Sequence, residues 1–145
     1  MAARLSTTCP ASVTSVGAGC VGSGGTLALS ALSLPWLGTT FRSRATGLSV
    51  NSLAVEVLGL ASVAVPMPAI LPQGVAGCVL TTSPDLLIVH VPSGGVVELA
   101  MPLPNTVAFA GFSFSQQVAA LELGPTLDIQ ALLGSNTLRL VEGFF

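Results

Sequence analysis

The 145-residue chain has no lysine, no tyrosine, a single histidine and a single tryptophan, and only 7% of its residues are charged. An ordinary soluble domain carries charge on about a quarter of its positions. Four arginines and six acids therefore leave most of the surface to be made from uncharged side chains. The missing lysine and the net charge of −2 exclude a basic footprint for nucleic acid. Disorder is excluded by the opposite property, since disordered chains are poor in apolar residues and 51% of this one is apolar.

Also missing is any long apolar run free of breakers. Three stretches lack charge: Leu5 to Phe41, Val57 to Pro84, and Leu99 to Leu121. The first is interrupted by Gly17, Gly19, Gly22, Gly24 and Gly25, the second by Pro66, Pro68 and Pro72, and the third by Pro102 and Pro104. A spanning helix needs about 20 apolar residues with an internally bonded backbone, so no membrane span is expected. The candidate strands are also short for a membrane barrel, which uses strands of about ten residues. Met1-Ala-Ala-Arg4 starts like the basic region of an export signal, but Leu5-Ser-Thr-Thr-Cys9-Pro10 does not continue as an apolar one.

What is present is punctuation: 16 glycines and 10 prolines cut the chain into short segments, the pattern of an antiparallel sandwich or barrel. Strands are expected at Ala11–Val16, Leu27–Leu32, Thr39–Thr46, Ser52–Leu60, Cys78–Thr81, Leu86–Val91, Val96–Met101, Gly111–Leu123 and Thr137–Glu142, enough for two sheets. Thr40, Arg42, Arg44 and Thr46 alternate with Phe41, Ser43 and Ala45, and Leu53, Val55 and Val57 alternate with Ala54, Glu56 and Leu58. Leu86-Leu-Ile-Val-His-Val91 is a continuous apolar run, as expected for a strand covered on both faces. Helical alternatives exist only at Ser115–Leu123 and Leu127–Leu133, confined by Gly124-Pro125 and Gly134. The expected architecture is all-β: an antiparallel two-sheet sandwich, Ig-like or jelly-roll-like, over residues 11–145, with an extended N-terminal arm at residues 1–10.

Chemistry is sparse. Gly17-x-Gly19-x-x-Gly22 matches a dinucleotide fingerprint as text, but Ser23-Gly24-Gly25 follows where a helix must begin, and no acid comes before Glu56. His90 lies in an apolar strand and reads as a structural imidazole. Ser83, Asp85 and His90 have the types of a triad without a nucleophile elbow. One histidine and scattered cysteines do not supply the three or four ligands of a zinc site. The reading is no catalytic residue, no metal and no cofactor, and no enzyme. A glycan is a possible partner, since Gln116, Gln117, Asn105 and Asn136 offer hydrogen bonds. However, the aromatic face such sites use comes down to Trp36, which reads as a packing anchor, and Asn105 and Asn136 also read as turn residues. No Asn-x-Ser/Thr acceptor occurs.

Several weak motifs recur in a recognisable order: Cys20-x-Gly22-Ser23-Gly24-Gly25; Leu34-Pro35-Trp36-Leu37-Gly38 with Phe41; Gly77-Cys78-x-Leu80-x-x-Ser83-Pro84-Asp85; Gly94-Gly95; Pro104-Asn105; Ala110-Gly111-x-x-Phe114-x-x-Gln117; and Ser135-Asn136-x-Leu138. From Ala11 to Gly143 the chain resembles a module that recurs in exported proteins of planctomycetes and other environmental bacteria. It departs from that pattern at Leu123, where an acid is expected, and in residues 1–10. The resemblance implies an extracellular β-sandwich without a catalytic role, and a disulfide between Cys20 and Cys78. Three cysteines allow at most one internal pair, which leaves Cys9 free, bonded to another subunit, or buried as a small hydrophobe.

The charge deficit then needs a cause. A domain of this size keeps a large surface, and apolar patches on soluble proteins mark association. Self-assembly would cover them. The expected function is a structural subunit of an extracellular fibre or pilus-like filament, its partner being further copies of itself. An arm around Ala3 to Val13, with Leu5, Cys9 and Val13 as contacts, would add to the sheet of the next subunit, and Phe144-Phe145 would supply further interface. The alternative is a secreted carbohydrate-binding or adhesion module.

Overall fold

Apolar alternation broken by Gly, Pro and Asn resolves into short antiparallel strands in the computed structural model, which describes residues 10–144. They are β1 (Ser12–Val16), β2 (Val21–Gly22), β3 (Gly25–Thr26), β4 (Ala28–Ala31), β5 (Thr40–Thr46), β6 (Ser52–Gly59), β7 (Ser62–Pro66), β8 (Val79–Thr82), β9 (Leu86–His90), β10 (Val96–Pro102), β11 (Ser113–Leu123), β12 (Ile129–Gly134) and β13 (Thr137–Val141). A single helical turn, α1 (Met67–Ile70), follows β7.

The fold is all-β and antiparallel, as the sequence indicates, but its strands divide among four hydrogen-bonded sheets. The largest runs β1-β13-β11-β6-β9, with β12 also on β11. β11 is long enough to hold two partners in succession: Ser113–Gln116 pairs with β13 and Ala119–Leu123 with β12. Between them the register slips by one residue. There Ser135 closes the gap, its N–H donating to the Val118 carbonyl and its Oγ accepting the Val118 N–H, both at 2.9 Å. A second sheet is β10-β5-β4, and two hairpins, β2-β3 and β7-β8, complete the set.

β11 carries the core because it is covered on both faces. The buried side chain of Gln116 turns to β5, accepting a hydrogen bond from Ser43 Oγ at 2.9 Å. Its neighbour Gln117 turns the other way, accepting the Thr81 N–H at 2.9 Å and donating to the Ser135 carbonyl at 2.9 Å. Double coverage explains why Ser115–Leu123, one of the helical alternatives, is a strand: seven consecutive residues from Phe114 to Ala120 are buried, which a helix with one buried stripe does not produce. Leu127–Leu133 also corrects to strand, as most of β12. The core joins Phe41, Leu99 and Leu29 of the second sheet to Val118, Leu138 and Leu140 of the first, and to Met67 and Cys78 beyond it.

Leu86–His90 corrects a further expectation. It is not sandwiched between layers but forms the open edge of the six-stranded sheet, with Leu86 to Val89 exposed. A continuous apolar run satisfies either place, and the doubly covered strand is instead the one containing Gln116-Gln117.

At one corner backbone geometry dictates residue type. Gly47 follows β5 at φ +84°, and a Cβ there would lie 2.0 Å from the Thr26 carbonyl oxygen, so only glycine lets β5 turn beneath β3. The disulfide between Cys20 and Cys78 is formed, with Cα atoms 5.9 Å apart. It fastens the segment after β1 to the chain entering β8. No helix of the described residues is long and apolar enough to cross a membrane.

Candidate assembly edge

β9 is built from Leu86-Leu-Ile-Val-His90 and bounded by Pro84 and Pro92, which cannot donate to a ladder. It pairs with β6 without a bulge, from Leu58 opposite Leu86 to Ala54 opposite His90. Among the described residues nothing pairs with its other side.

The backbone polarity of that free side follows from register. The Leu123 N–H donates to the Asn51 carbonyl at 2.7 Å, so Leu123 and Asn51 form a hydrogen-bonded pair. In an antiparallel ladder these pairs alternate, and a residue's N–H and C=O point to the same neighbour. Ala54, Glu56 and Leu58 therefore address His90, Ile88 and Leu86, while Leu87 and Val89 turn their N–H and C=O groups outward. Leu86, Leu87, Ile88, Val89 and Val91 keep between 38% and 78% of their surface exposed. The devices that usually blunt an edge are lysine, inward-facing charge, proline within the strand and bulges. β9 has no lysine, internal proline or bulge, and its one inward-facing polar side chain is His90 at its end.

Behind the edge lies a polar brace. His90 Nε2 is 3.0 Å from Glu56 Oε1, and Glu56 Oε2 accepts a 2.8 Å hydrogen bond from Gln116 Nε2. With Ser43 the chain of contacts crosses four strands, from β9 through β6 and β11 to β5. Glu56 is buried, and a buried carboxylate is tolerated when both oxygens are bonded. On the opposite face of β9, Leu87 joins Val55, Val57, Val65, Ile70 and Leu121 around an apolar groove of about 480 Å³, roofed by β7, α1 and β8. Side chains of an added strand that alternate onto that face would meet this groove.

The other residues singled out in the sequence have structural places. Ser83 and Asp85 do meet, Ser83 Oγ donating to Asp85 Oδ2 at 2.8 Å. They hold the corner after β6, where Asp85 accepts the Leu60 N–H and Ser83 Oγ accepts the Ala61 N–H. Those bonds, the Leu60 backbone first and Ser83 second, hold the Asp85 carboxyl below its ordinary range. His90 is at the far end of β9, about 16 Å away at ~3.3 Å per residue, and bonded to Glu56, so the three do not form a triad. Gly17-x-Gly19-x-x-Gly22 leads into the β2-β3 hairpin and not into a helix. That hairpin is fixed by Glu122, which accepts hydrogen bonds from the N–H and Oγ of Ser23. Asn136 bonds both backbone groups of Leu29 at 2.8 Å. With Gln116 and Gln117 buried, three of the four side chains considered for a glycan are committed internally. Asn105 is exposed, and Trp36 is half-buried, bridged to Gly143. Among the described residues no group of three or more His, Cys, Asp or Glu is placed to hold a metal ion.

Of the expected assembly residues, Val13 is half-buried in β1 and paired with Leu140 of its own chain. Phe144 is half-buried at the C-terminal end. Leu5, Cys9 and Phe145 lie outside the described residues. The sequence reading missed the edge itself: its signal, the apolar run, was present but was assigned to the interior. No family model, curated protein or solved structure matches the chain, so none links it to the exported bacterial modules its motifs resemble.

Proposed function

We propose that this chain is a structural subunit that polymerises by strand addition, with β9 as the acceptor edge. The observation that carries the reading is the combination of exposed apolar side chains and outward-facing backbone groups at Leu87 and Val89. An incoming strand would complete the ladder there, and its side chains would cover Leu86 through Val89 on both faces. We read the two larger sheets as the layers of a sandwich, with the six-stranded sheet as the one that propagates. Its two ends are unlike: β9 is apolar, whereas β1, at the opposite end, is Ser-Val-Thr-Ser-Val and follows residues 1–10 in the sequence. A contact between unlike ends is heterologous, so it propagates head to tail into a filament wherever its rotation does not close a ring, unlike the self-complementary contact of a two-fold dimer. Export to an extracellular fibre fits the Cys20–Cys78 disulfide, since disulfides persist in oxidising compartments. The glycan-binding alternative has less support, because Gln116, Gln117 and Asn136 face inward.

Two variants test the reading by sedimentation and negative-stain microscopy. Val89→Lys, at an exposed position, is expected to abolish filaments by charging the acceptor, and deletion of residues 1–10 to abolish them by removing the donor. Filaments that persist in Val89→Lys overturn the role of β9. Filaments that persist only in the deletion variant keep β9 as the acceptor and replace the arm with another donor.

A further inference from the structure

A second cavity, of about 320 Å³, opens on the other face of the large sheet, between Leu58 and Leu86 on one side and Met101 and Leu103 on the other. Its volume is at the lower end of small-molecule sites. Phe109, Phe112 and Phe114 line it. The ring centroids of Phe109 and Phe112 are 6.0 Å apart with their planes at 62°, and those of Phe112 and Phe114 are 6.3 Å apart. Phe109 and Phe112 are partly exposed and form the mouth, whereas Phe114 is buried.

Two acidic side chains, Asp85 and Glu142, interrupt this apolar lining; Asp85 is exposed and already accepts hydrogen bonds from the Leu60 N–H and Ser83 Oγ. Glu142 follows β13, where its N–H donates to the Phe112 carbonyl at 2.8 Å. That pairing puts its side chain on the same face as Phe112 and Phe114. Glu142 is 5% exposed, and its Oε1 is buried without a hydrogen-bond partner. Among the described residues Arg44 pairs with Glu98, Arg139 donates to Ser62 and His90 contacts Glu56, so Glu142 has no partner from those groups. Both other buried acids among the described residues are satisfied, Glu56 by His90 and Gln116, and Glu122 by Ser23. A buried carboxylate left unpaired is costly, and a partner that brings both charge and donors removes that cost. An ammonium group does so, and the aromatic faces at the mouth favour a cation as well.

We propose that this cavity is a binding site for a small hydrophobic amine, its apolar body held by Phe109, Phe112 and Phe114 and its ammonium group paired with the Glu142 carboxylate. The site does not depend on polymerisation.

The probe is 2-phenylethylamine, with 2-phenylethanol as the neutral control of nearly the same shape, titrated calorimetrically into the 145-residue chain. The amine is expected to bind at least about tenfold more tightly than the alcohol. Glu142→Gln is expected to remove that preference, and Phe112→Ala to weaken both ligands. In parallel the amine raises the melting temperature of the wild type more than the alcohol does, as binding to the folded state requires. This second readout covers variants that fold poorly. Equal affinity for amine and alcohol, no binding of the amine at millimolar concentration, or an amine affinity unchanged by Glu142→Gln overturns the proposal.

Discussion

Glu56 Oε1 and His90 Nε2 lie 3.0 Å apart on neighbouring strands, and this contact is the side-chain tie between the edge strand β9 and the interior. Glu56 is also the acceptor for Gln116, so one carboxylate fixes both the edge and the central strand. Glu56→Ala leaves Gln116 Nε2 unbonded in the core and is expected to cost about 3 kcal/mol of stability, measured by denaturant titration. Amide exchange of the β9 residues rises more than that of β10 if the carboxylate braces the edge; a uniform rise across both strands contradicts that role.

The Cys20–Cys78 disulfide closes a loop with a sequence separation of 58. In the chain-entropy description such a closure contributes roughly 4 kcal/mol. A Cys20→Ser, Cys78→Ser double variant is therefore expected to lose most of that amount while keeping its β-sheet circular dichroism. A loss under 1 kcal/mol shows that the unfolded chain is not the state the bridge constrains.

Leu127 sits at φ +64° in the turn between β11 and β12, a conformation that costs an ordinary side chain about 1–2 kcal/mol. Its side chain is exposed, so little packing is forfeited on its removal. Leu127→Gly is expected to stabilise by about 1 kcal/mol, net of the greater chain entropy of glycine. Thermal denaturation decides the sign, and a destabilised variant means that Leu127 packs against something not evident in the fold.

Stability responds to falling and to rising pH through different carboxyl groups. Burial raises the Glu142 carboxyl above its ordinary value of 4.5, so the folded state holds its proton more tightly than the unfolded state does. That stabilisation is complete below 4.5 and is lost as pH climbs through the raised value. Asp85 and Asp128 are lowered from 3.8 by hydrogen bonds, from Leu60 and Ser83 in the first and chiefly from Thr126 in the second. Their contribution is present above 3.8 and is lost as pH falls through the lowered values. Stability measured against pH is expected to decline in the wild type as pH rises from 4.5 through the raised value of Glu142, and to flatten there in Glu142→Gln. Asp85→Asn is expected to flatten the acid limb alone. An unchanged slope above pH 4.5 in Glu142→Gln contradicts the assignment.

The order of strands along the chain was legible because glycine, proline and asparagine mark nearly every turn: β5, β6 and β10 begin and end within a residue or so of their expected limits. The β7-α1 corner was not, since Ser62–Ile70 alternates poorly and carries Pro66 and Pro68, and neither was β12, whose apolar spacing fits a short helix as well as a strand. The site was less legible than the fold. Gln116 and Gln117 look like surface residues until a strand is covered on two faces, and an apolar run such as Leu86–Val89 reads as core because most such runs are. Glu142 gives no sequence signal at all: a lone acid near a chain end becomes notable only when its neighbours prove to be Phe112 and Phe114.

The most direct test of the central claim is sedimentation velocity of the wild-type chain and Val89→Lys across a range of concentrations, with circular dichroism to verify that both are folded. The expected result is a wild type that sediments as polymers growing with concentration, and a Val89→Lys variant that remains at 14.5 kDa. A wild type that stays at 14.5 kDa at every concentration would contradict the claim that β9 is an acceptor for another copy.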